Sequence, residues 1–247
     1  MTRQILHLLP QLAELQIARI VRIKPRLLKI ARERLGRVDP LELMHHPREA
    51  IDLALVERHH LPHFARGAAA AAEKQGLAML DAPVSGGDLG AREARLVIMV
   101  GGSEAGFARA RPVFDLMGKN IARHGGPGAG QHCKMANQIA VAVGMVAWVE
   151  ALAYARKAGL DPAAVHASIS GGAAGSWALT NLAPRALAGN FDPGFYVKHI
   201  IKDMKIALDS AAELKLDLPG LAEAKRLYEK VAAHGWEECG TQALYRL

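Results

Sequence analysis

The spacing of hydrophobic positions changes along the chain, and with it the elements it predicts. An alanine-rich stretch at residues 63–75 predicts a helix, and the compact apolar run 77–82 predicts a buried strand. The segment PVSGGDLG at 83–90 has the glycine content of a loop. A second strand is predicted over LVIMV, 96–100, stopped by Gly101 and Gly102. Ser103 then caps a helix running to about Met117, with Glu104 in its first turn. Residues 121–124 predict a short edge strand. Strand, helix and strand in that order make an α/β layer.

After the segment GGPGAG at 125–130 only the helical period remains. Helices are predicted at 131–158, stopped by Gly159, at 162–169, 177–188, 197–214 and 219–233. Asp161 followed by Pro162 is a strong helix start: a capping carboxylate precedes a residue whose missing N–H costs nothing there. The charge-free apolar stretch 135–149 is shorter than the ~18 residues a membrane helix needs, so it reads as a core helix.

The front of the chain differs. Residues 1–60 hold 11 of the 31 lysines and arginines, 5 of the 11 histidines, a single glycine (Gly36) and no Phe, Trp or Tyr. Arg19, Arg22, Arg26 and Lys29 would share one helical face, but Pro10 and Pro25 interrupt that helix. The formal charge of +7 is therefore concentrated where the pattern is weakest, and without interleaved aromatics it does not point to nucleic acid or a membrane surface. Cys133 and Cys239 form no Cys-x-x-Cys pair, and the adjacent pairs His45-His46 and His59-His60 would face opposite ways on a strand, so no metal site is expected. No secretion signal is visible, and a reducing, cytoplasmic setting is expected.

Lys134, Asn137 and Gln138 stand at i, i+3 and i+4 near the start of the long apolar helix and project from one face. An amine in apolar surroundings can serve as an acid/base, although spacing alone favours a lysine whose stem covers apolar surface and two amides that mark where the helix reaches solvent. Ser85, Gly86 and Gly87 can present backbone N–H groups to an anion, or form a plain turn. Lys202 and Asp203 read as a solvated ion pair. The segment from Gly128 to Cys133 lacks the third glycine of a dinucleotide fingerprint, and no acidic residue follows on a second strand.

The ordered set DAPVSGG (81–87), Gly101-Gly102, GAGQHCKMANQ (128–138), EALAYARKAGLD (150–161), PGFYVKHIIKD (193–203) and LPG (218–220) resembles the β-hydroxyacid dehydrogenases, which include 3-hydroxyisobutyrate dehydrogenase and tartronate semialdehyde reductase and are related to 6-phosphogluconate dehydrogenase. The resemblance covers about residues 62–247. It implies part of a Rossmann-type α/β domain at 61–127 followed by an all-α domain at 128–247, with 1–60 an atypical segment. It implies NAD or NADP as cofactor, a small hydroxy acid or semialdehyde as substrate and a homo-oligomer. By the same resemblance Lys134 would be the general acid/base, Asn137 would hold the substrate oxygen, and Ser85, Gly86 and Gly87 would bind the substrate carboxylate. Lys202 and Phe195 would lie against the nicotinamide end. Gln138 stands where the family often has Asn, with little change expected. The family's opening Gly-x-Gly-x-x-Gly is absent from residues 1–60, so a truncated or frame-shifted remnant with weak cofactor binding, serving at most as a helical dimerisation module, is the alternative expectation.

Overall fold

A seven-residue strand, β3 (Leu96–Gly102), is the spine of a small mixed sheet in the computed structural model, which describes residues 62–247. The basic helical face, the histidine pairs and the rest of 1–60 lie outside the described residues. All of β3 except Val97 is buried, the pattern of a strand covered on both faces. Along one edge β4 (Gly118–Gly125) runs parallel to it; the sequence predicted only its central part. Along the other edge run β1 (Leu80–Asp81) and β2 (Val84–Ser85), both antiparallel.

Leu80 pairs with Gly102 and Ser85 with Val97, so β1 and β2 share one register. Between them the Met99 N–H donates to the Pro83 carbonyl at 2.9 Å. They are one strand, interrupted where Pro83 has no N–H to give. The expected strand at 77–82 is thus shifted towards the C-terminus, because the partner β3 decides the register. The expected loop at 83–90 instead holds the two strand residues of β2 and, after Gly86, the start of α2 (Gly87–Arg92). Before the sheet, α1 (Pro62–Glu73) matches the alanine-rich stretch. After β3, α3 (Glu104–Phe114) opens on Ser103, whose Oγ accepts from the Gly106 N–H at 3.1 Å, and closes three residues short of Met117. Leu80, Ile98, Val100, Ala110 and Phe114 form the core of this layer.

The helical part is built on α4 (Ala129–Lys157), 29 residues long. By length and composition α4 could cross a membrane. Here its Met135, Ala142, Met145, Trp148 and Leu152 are instead covered by protein, in the larger of the two hydrophobic clusters among the described residues. The helix ends where Gly159 turns to φ +78° and Leu160 N–H closes on the Ala155 carbonyl at 3.0 Å, a positive-φ stop that glycine takes without strain. Around it pack α5 (Pro162–Ile169), α6 (Trp177–Leu187), α7 (Val197–Glu213) and α8 (Pro219–Ala233). The Asp161 carboxylate caps α5 by accepting from Ala163 N–H, as its position before Pro162 predicts. On α7 the buried residues Val197, Ile200, Met204, Ala207 and Ala211 recur at three and four, one stripe facing the core. A C-terminal 3-10 turn, Thr241–Arg246, has no periodic signal in the sequence, yet it buries Ala243 and Leu244.

Candidate functional site

The start of α4 meets the sheet at Asp81. Its Oδ1 accepts from Gly128 N–H at 2.7 Å and its Oδ2 from Gln131 N–H at 2.9 Å, so a buried carboxylate occupies the free amides at the positive end of the helix. The approach is close. A Cβ on Gly130 would lie 2.4 Å from the Met99 carbonyl oxygen, and one on Gly101 2.4 Å from Asp81 Oδ1. These two glycines are needed for contact between helix, strand and carboxylate. Sequence reasoning missed Asp81, because one aspartate in a short apolar run carries no spacing signal.

One turn further along α4, Lys134 Nζ donates to the Val84 carbonyl at 3.0 Å. Burial pulls the ammonium below the usual lysine range, Asp203 opposes that shift, and Lys202 adds to it. The mooring places Lys134 beside Ser85, Gly86 and Gly87, which follow Val84 directly. Gly86 and Gly87 have φ of +126° and +61°, values that L side chains rarely adopt. A Cβ on Gly87 would lie 3.7 Å from the Gly194 carbonyl oxygen, so the segment preceding α7 borders the same corner. Phe195 comes next in that segment; its ring stacks on His199 with centroids 6.2 Å apart.

Asn137 and Gln138 are not two separate polar marks. Asn137 Nδ2 donates to Gln138 Oε1 at 2.8 Å, and Gln138 Nε2 donates to Asp203 Oδ2 at 2.6 Å. Lys202 Nζ lies 3.3 Å from the other oxygen, Asp203 Oδ1. The expected solvated Lys202 and Asp203 pair is therefore lopsided: the Asp203 side chain is 8% exposed and its lysine 45%. The Gln138 amide thus bridges Asn137 and Asp203. Phe195 and Lys202 have no direct bond to each other; one borders the corner through Gly194 and the other through Asp203. Cys133, adjacent to Lys134, has its thiol pushed up by burial, the opposite of an activated nucleophile.

This arrangement holds a half-buried amine with a lowered pKa beside a chain of oriented amides and a glycine corner. It can move one proton to or from an oxygen held between them. The family profile described as the NAD binding domain of 6-phosphogluconate dehydrogenase matches residues 59–126. The profile described as NAD-binding of NADP-dependent 3-hydroxyisobutyrate dehydrogenase matches residues 128–247. The chain is 56% identical over 186 residues to an uncharacterised oxidoreductase of Bacillus subtilis, covering 75% of this chain and 65% of the relative. It is 48% identical over 165 residues to the 2-hydroxy-3-oxopropionate reductase of Escherichia coli, covering 67% and 56%. The solved 3-hydroxyisobutyrate dehydrogenase of Mycobacterium tuberculosis with L-serine superposes with a TM-score of 0.70 at 35% identity, covering 75% of this chain and 66% of that one. The chain thus spans less than two thirds of the length of these relatives.

Proposed function

Residues 59–247 belong to the β-hydroxyacid dehydrogenase family, and from that premise we propose that this chain interconverts a small β-hydroxy acid and its semialdehyde. When bound, NAD or NADP supplies or accepts the hydride. The observation that carries the reading is the Lys134 amine, moored to Val84 and lowered in pKa by burial, next to Ser85, Gly86 and Gly87. In reduction Lys134 gives its proton to the carbonyl oxygen; in oxidation it takes the hydroxyl proton. Asn137 holds that same oxygen. Ser85 and the N–H groups of Gly86 and Gly87 hold the substrate carboxylate.

Lys202 and Phe195 would hold the nicotinamide end of the cofactor; Phe195 follows Gly194, which borders the glycine corner, and Lys202 is paired with Asp203. The Gly128 and Gln131 amides at the start of α4 are not available to a phosphate, because Asp81 fills them. Two measurements test the proposal: fluorescence titration with NADH and NADPH, and a coupled assay on small semialdehydes and hydroxy acids. Saturable cofactor binding is expected, with turnover that falls about 10²–10⁴-fold in Lys134→Met. Turnover near the wild-type rate after the substitution overturns the proposal.

A further inference from the structure

Asp203 has no direct role in the chemistry above beyond its charge opposing the drop in the Lys134 pKa, yet it is buried, accepts from Gln138 at 2.6 Å and is backed by Lys202 at 3.3 Å. We infer that Asp203 is a positioning residue which, through Gln138, holds Asn137 with its Nδ2 as donor both to Gln138 and to the substrate oxygen. The inference rests on the reading of Asn137 as the amide that meets substrate.

The argument is one of donors and acceptors. A side-chain amide is nearly isosteric with its own flipped form, so shape alone does not decide which end points where. A carboxylate has no donor, so Gln138 must turn its NH2 towards Asp203, which leaves Gln138 Oε1 facing Asn137. Only a donor can meet that oxygen, and Asn137 Nδ2 does, at 2.8 Å. Asn137 is thereby locked in one order. Its second Nδ2 hydrogen remains for the substrate oxygen, whose own proton then goes to Lys134. A flipped Asn137 would set Oδ1 against that oxygen, lone pairs facing lone pairs.

In Asp203→Asn the anchor is reversed. Lys202 retains the carbonyl oxygen of the substituted side chain, so the new NH2 faces Gln138; Gln138 flips, and Asn137 flips after it. Adding Gln138→Glu restores a group that only accepts. Both Asn137 and the new amide at position 203 can donate to it, and Asn137 returns to its original order.

The test reads the Asn137 side-chain NH2 pair in proton–nitrogen correlation spectra, assigned by its loss in Asn137→Ala, alongside turnover of the hydroxy acid. In D203N the Asn137 signals are expected to move and kcat/KM to fall about ten- to a hundredfold, the scale of one charge-assisted hydrogen bond. In D203N/Q138E both are expected to return towards the wild-type values. A purely structural role for Asp203 predicts no such rescue. Unmoved Asn137 signals in D203N, or no recovery in the double variant, overturn the inference. If D203N does not fold, Gln138→Met removes the same link while keeping Asp203 and Lys202, and unmoved Asn137 signals there overturn it equally. Signals that behave as expected while turnover is untouched keep the relay and instead overturn the role of Asn137 towards substrate.

Discussion

Lys134 on α4 and Val84 on β2 are joined by a 3.0 Å hydrogen bond from Nζ to the backbone carbonyl, which ties the helix amine to the strand leading into Ser85. Lys134→Met is expected to lower kcat by about 10²–10⁴-fold, the range of a lost general acid/base. Lys134→Arg is expected to be nearly as poor, because a guanidinium stays protonated at any working pH. Steady-state kinetics in both directions check this.

The pH dependence follows from the same burial. Lys134 loses its proton below the 10.5 of an ordinary lysine, so oxidation is expected to rise and reduction to fall through a midpoint under that value. The unfolded chain binds more protons than the folded one between the lowered value and 10.5. Stability contributed by this residue therefore rises with pH across that window. Lys134→Met should remove that slope, seen in urea unfolding at several pH values, and should be the more stable protein at neutral pH.

Gln138→Asn takes away the methylene that lets one side chain reach both Asn137 and Asp203. Loss of the bond to the carboxylate is expected to cost about 1.5–3 kcal/mol of stability. Chemical denaturation measures the cost, and a wild-type midpoint would argue against the span.

Asp81→Ala leaves the Gly128 and Gln131 amides unpaired at the start of α4. A loss of about 3 kcal/mol or more is expected for two such bonds. Gly130→Ala places a methyl against the Met99 carbonyl, and an overpacking penalty of about 1–3 kcal/mol or more is expected. Thermal unfolding of the two variants provides the check.

Tyr228→Phe serves as a control at a side chain with no role in this chemistry. The hydroxyl is buried and donates to the Thr241 carbonyl at 2.9 Å, and burial pushes its pKa up, so it does not ionise in the working range. Its removal is expected to cost about 0.5–1.5 kcal/mol and to leave turnover unchanged.

Local pattern determined the longer helices and several of their ends. Asp161 before Pro162, Ser103 before Glu104 and Gly159 after the long apolar run act through backbone amides within a turn of themselves, so their effect is written in neighbouring residues. The i, i+3, i+4 spacing likewise put Lys134, Asn137 and Gln138 on one face. Tertiary structure decided what no short window contains. Pairing with β3 carried the first strand through Pro83 to Ser85 and turned an expected loop into strand and helix. Long-range contact joined Asp81 to residues 47 and 50 positions away and Gln138 to Asp203 65 positions away. Such bonds have no period and no fixed spacing. An acidic side chain becomes an anchor only when packing removes the water that would otherwise solvate it.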